Sequence, residues 1–130
     1  MAFLPLSLLH KHGGLCAEET AALHRHPAQA VALLSSLSAW ETAAHIVADH
    51  HEHVDGSGYP SGKTGADIHT GAQLLAIVDA FEARTHDRAY SAKVTRPLVR
   101  AILEINRCSG SQFAPEWVDV FNVVLRSARR

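Results

Sequence analysis

The stretch from Ala72 to Thr85 constrains the fold more than any other. Leu74-Leu75-Ala76-Ile77-Val78 and Ala80-Phe81 are apolar, and a single carboxylate, Asp79, stands between them. At helical spacing this puts apolar side chains on nearly every side, the pattern of a central, buried helix wrapped by others. Asp79 is then carried into the core. A buried carboxylate without a partner takes up a proton rather than stay charged, so Asp79 calls for a cation, strong hydrogen-bond donors or a metal ion.

The flanking segments supply helices to surround it. After Gly13-Gly14, Cys16-Ala17-Glu18-Glu19-Thr20 opens a short helix with acidic residues in its first turn, where they complement the dipole. His26-Pro27 opens another, with Pro where its missing N–H costs nothing. Ala30, Leu33, Leu34 and Leu37 predict a core stripe along it. Beyond Ser38, read as an N-cap, Trp40, Ala43, Ala44, Ile46 and Val47 form an apolar face that runs straight into His50 and His51. Residues 94–106 repeat through Leu98, Ala101, Ile102 and Ile105, and a last helix, entered at Pro115, carries Trp117, Val118, Phe121, Val124 and Leu125. No alternating strand pattern of convincing length occurs, so the expectation is one all-α domain over residues 1–130.

Composition narrows the function classes. With 47% hydrophobic and 19% charged residues the 130-residue chain can bury a core. Its formal charge of -1 disfavours a DNA-coating role or attraction to an anionic membrane. No apolar run approaches the roughly 20 residues of a membrane span. Residues 3–9 lack a charged segment before them and a small-residue cleavage site after, so no signal peptide is expected and the reading is cytoplasmic. Cys16 and Cys108 have no paired spacing and read as free thiols. The unusual number is ten His.

From Glu52 to Thr70 the helical pattern vanishes. Asp55-Gly56-Ser57-Gly58-Tyr59-Pro60-Ser61-Gly62 is a dense cluster of turn formers, too long for a simple connector. The chemistry-bearing residues are therefore His26 at a helix start, His50-His51 at a helix end beside this loop, and Asp79. Neutral imidazoles with one carboxylate suit Fe, Mn, Zn or Ni better than the oxygen-seeking Ca or Mg. The structural alternative pairs Asp79 with Arg84 or Arg88. His10, His12, His24, His45, His53, His69 and His86 read as solvated or hydrogen-bonded.

The contiguous string His50-His51-Glu52-His53-Val54-Asp55-Gly56-Ser57-Gly58-Tyr59-Pro60 resembles the HHExxDGxGYP signature of the HD-GYP family, bacterial metal-dependent phosphodiesterases that act on cyclic-di-GMP. Val78-Asp79-Ala80-Phe81-Glu82-Ala83, followed by Thr85, Asp87, Arg88 and Tyr90, is similar to that family's VADAFDAMTSDRPY stretch. Ser111-Gln112-Phe113-Ala114-Pro115 is similar to its GTQFDP turn and His26-Pro27 to its THP. The resemblance spans roughly residues 4 to 125. It implies an HD-superfamily helical bundle with a long Gly-rich loop, His26, His50, His51 and Asp79 as ligands of a divalent transition metal (Fe or Mn foremost, Ni or Zn next), and Tyr59, Arg88 and Asp55 facing a cyclic dinucleotide. For Tyr59 the alternative is a ring packed on Pro60 as a loop anchor.

The chain also departs from that pattern. No His-Asp pair follows a Leu; His86-Asp87 stands where the family has a Ser-Asp or similar pair, Ala89 replaces a Pro, and Ser91 stands where a basic residue is frequent. The chain reads as starting after the family's His-Asp dyad and its N-terminal helices, which leaves a two-metal centre without its bridging carboxylate. A non-catalytic remnant that binds a nucleotide or a protein is thus the alternative to a phosphodiesterase, with a homodimer or a partner polypeptide covering the open face. A mononuclear metal protein or sensor built on His26, His50 and His51 is the third reading.

Overall fold

The computed structural model describes residues 14–86 and 97–128. Helices α1 (Ala17–His24), α2 (His26–Leu34), α3 (Glu41–Asp49), α4 (Thr70–His86), α5 (Pro97–Arg107) and α6 (Pro115–Ser127) follow one another, with a 3-10 turn at Gly65–Asp67. Among the described residues the only β features are isolated bridges, Asp55 to Thr64 and Ser109 to Phe113. The all-α expectation holds.

The packing follows from which residues each helix can bury. Ala76, Ile77 and Ala80 of α4 meet Ile105 of α5, Phe113 of the following turn and Val118 of α6, with Phe81 and Phe121 edge to face at 5.4 Å. Phe113 and Ile105 are fully buried, and each contributes roughly 1.5–3 kcal/mol of transfer free energy. The small Ala72, Ala76 and Ala80 repeat at four-residue spacing, so neighbouring helices come close along that line. α4 packs on α3 as well as on α5 and α6; α2 packs on α3, and α1 on α2.

Five sequence expectations need correction. α4 is central but not wrapped: Leu74, Leu75 and Val78 are exposed, the last by 60%. Asp79 is only half-buried, so it is not the core carboxylate that the apolar run implied. The stripe expected along α2 is not core either: Leu33 is exposed, only Pro27 is buried on the helix, and Leu37 lies beyond its end and is exposed. Near the far end, Val124 of α6 is likewise exposed. Ser38 does not cap α3: Ala39 takes a left-handed conformation (φ 68), which breaks the chain after Ser38 and leaves Trp40 as the N-cap residue. Both cysteines are free. No helix among the described residues is long and apolar enough to cross a membrane.

Candidate metal centre

α2 begins at His26 and α3 ends at Asp49, so packing these two helices brings the start of one beside the end of the other. His50 caps α3 and His51 continues the turn. The result is a three-imidazole cluster: one ring nitrogen from each of His26, His50 and His51 lies within 4.8 Å of the others, all half-buried.

The hydrogen bonds select which nitrogens are free. His26 Nδ1 donates to the Leu23 carbonyl, and His50 Nδ1 donates to the Val47 carbonyl at 2.7 Å. Each helix turn thereby fixes its ring with a bare Nε2, the tautomer a metal ion binds. His26 Nε2 and His51 Nε2 are 3.2 Å apart. Two nitrogens each ~2.1 Å from one ion, at an angle of ~100°, have this separation. His51 is pushed down to about 3, first by burial and then by the neighbouring imidazoles of His50, His26, His24 and His53. It is therefore neutral at neutral pH, with a lone pair to offer. The donor set fits a transition metal.

Tyr59 closes one side. Its ring stacks on His51 (centroids 4.8 Å apart, planes at 25°) and on His24 (3.8 Å, 15°). The ring therefore packs between imidazoles. Burial, and then the charge of Asp79, push Tyr59 up to about 12, so it remains a phenol and keeps its O–H. Asp79 is close enough to act on Tyr59 electrostatically, yet among the described residues the three-imidazole cluster does not include it. Arg84 pairs with Glu104 at 3.1 Å. Asp55 is exposed on the loop, where the Ser57 hydroxyl and the Ser57 N–H (2.9 Å) hold its carboxyl below the ordinary range. Arg88 lies outside the described residues.

The profile of the HD domain family matches residues 1–116. The chain belongs to the HD domain family. Its residues 50–60 carry the HD-GYP form of that domain. Over 119 residues it is 36% identical to a 3'3'-cGAMP-specific phosphodiesterase (number 2) of Vibrio cholerae, covering 90% of this chain and 22% of that protein. A cyclic di-GMP phosphodiesterase of Thermotoga maritima is 34% identical over 91% of this chain and 32% of its own length. A cyclic di-GMP phosphodiesterase response regulator of Xanthomonas campestris is 36% identical over 89% of this chain and 31% of its own. The chain spans about a fifth to a third of the length of these curated relatives.

Inside this HD domain, two residues that the sequence reading passed over hold the loop in place. Glu52 is 3% exposed and accepts the backbone N–H of Ser61 (2.6 Å) and of Lys63 (3.0 Å). Asp49, 5% exposed, takes both its carboxylate oxygens to Lys63 Nζ (2.8 and 2.9 Å) and accepts the His69 N–H (3.3 Å). Two buried carboxylates thus grip the segment just beyond Tyr59. The loop also returns to the cluster directly, since Tyr59 N–H donates to His51 O at 3.1 Å. On its other flank Val54 and Asp55 donate to the carbonyls of Gln112 and Ser111, in the turn before α6. The available signal was the spacing: acidic residues immediately before and after His50-His51, next to a run of turn formers whose N–H groups need acceptors.

Proposed function

We propose that this chain provides the three-histidine metal site and the substrate-facing loop of an HD-GYP-type phosphodiesterase acting on a cyclic dinucleotide. The observation that carries this reading is the convergence of His26, His50 and His51, with bare Nε2 atoms on His26 and His50, under the loop that bears Tyr59. The relatives named for cyclic di-GMP and 3'3'-cGAMP hydrolysis support the substrate class.

In this reading His26, His50 and His51 hold a divalent transition metal, with Asp79 as the carboxylate ligand, and iron or manganese suits this imidazole-rich set. Such an ion, when bound, neutralises phosphodiester charge and activates water. The protein's own residues do the rest. The Leu23 and Val47 carbonyls aim the imidazoles. Tyr59 keeps its hydroxyl as a donor towards the substrate, Arg88 forks onto phosphate, and Asp55 faces the substrate from the loop. The exposed Leu74, Leu75 and Val78 beside Asp79 favour a second reading, in which the domain binds without turnover and a second copy of the chain covers that face.

The test is metal content per chain after anaerobic purification with iron and manganese supplied, followed by titration with cyclic-di-GMP and 3'3'-cGAMP. The expected result is a bound transition metal that His50→Ala with His51→Ala removes, and binding of at least one dinucleotide by the loaded chain. Equal metal in variant and parent overturns the site. Binding without metal-dependent turnover selects the second reading.

A further inference from the structure

We propose that His24 is a substrate-positioning residue, the outer layer of a three-ring stack against which a flat base of the bound cyclic dinucleotide rests. The inference builds on the functional reading above. Two imidazoles at 3.8 and 4.8 Å from one phenol would overlap on a single face, so His24 and His51 lie on opposite faces of Tyr59. The stack therefore runs outward from the metal-ligand set: His51, then Tyr59, then His24. Because the phenol stands between them, His24 is not a fourth ligand, and among the described residues the cluster is His26, His50 and His51.

His24 is exposed even though its inner face is covered by a nearly parallel ring, so its outer face is open. α1, which it ends, buries none of its residues. Core packing therefore does not dictate where this imidazole sits; the helix end and the stack do. An open flat face backed by two more rings is a stacking platform, and a nucleobase offers its π-face to such a platform without needing a hydrogen-bond code. The placement suits a dinucleotide. A phosphodiester at the imidazole cluster leaves its base one sugar away, and the platform stands one phenol ring aside from that cluster.

Calorimetric titration of the manganese-loaded full chain with cyclic-di-GMP and with 3'3'-cGAMP tests this, using His24→Ala and His24→Phe. The expected result is about tenfold or greater weakening in His24→Ala, parent affinity in His24→Phe, and parent metal content in both. Unchanged affinity in His24→Ala overturns the role of His24 alone. Failure of His24→Phe to restore affinity overturns the stacking basis of that role. If the loaded parent binds neither dinucleotide, the functional reading itself falls, and this inference with it.

Discussion

Glu52 shows how a single side chain can set a site it does not belong to. A carboxylate only 3% exposed would be costly on its own, but each of its oxygens takes one loop N–H, from Ser61 and Lys63. The arrangement needs two acceptors. Glu52→Gln keeps the shape and turns one of them into a donor that faces an N–H, leaving a buried amide unsatisfied. The expected loss is about 1–3 kcal/mol of folding stability, read as a lower urea midpoint at unchanged slope. A midpoint equal to the parent's would mean that the loop is held without Glu52. Lys63 behaves differently. Its side chain is 37% exposed, so solvent screens its pairing with Asp49, and Asp49 keeps the His69 N–H if Lys63 is lost.

The elements were legible to different depths. Helix starts at Pro27 and Pro115 stand where the sequence placed them, because a residue with fixed φ and no N–H has few other places to go. Burial was harder to read. Leu33, Leu37 and Val78 obey the helical period and are still exposed, since periodicity reports which side chains share a face and not whether another element covers it. At the site, His26, His50 and His51 were legible from the string and its spacing. Asp49, Glu52 and His24 were passed over, because carboxylates that accept backbone N–H groups and rings that stack leave no periodic trace.

The loop is the element where close approach decides the conformation. A Cβ on Gly58 would lie 2.5 Å from His51 O and 2.7 Å from Glu52 C, backbone atoms that cannot turn aside. Gly58→Ala must therefore push Tyr59 and the turn carrying His51 apart. The helices pack through other residues, so the expected variant keeps its far-UV helical signal and loses metal content. Parent metal content in Gly58→Ala would show that the cluster does not depend on this contact.

Across the whole molecule, the three imidazoles of the proposed metal site come from one helix pair, and Asp79 would add α4. His26 opens α2, while His50 and His51 follow the end of α3, so an ion on all three ties that helix pair together. The Ile105–Phe113–Val118 core contributes none of the three. A ligand that binds only the folded state stabilises it by about 2.7 kcal/mol at a hundredfold excess over its dissociation constant. At about 3–5 °C per kcal/mol for a chain of this size, this corresponds to a rise in Tm of about 10 °C between chelator and manganese. His26→Ala removes one of the three ligands and one half-buried ring, so its metal-free Tm should fall only slightly while the metal-dependent rise disappears. Hydrogen exchange should locate the effect, with added manganese slowing exchange in α2 and α3 more than in α5. A metal-induced rise of equal size in His26→Ala, or equal slowing in α5, would place the ion elsewhere and detach α2 from the site.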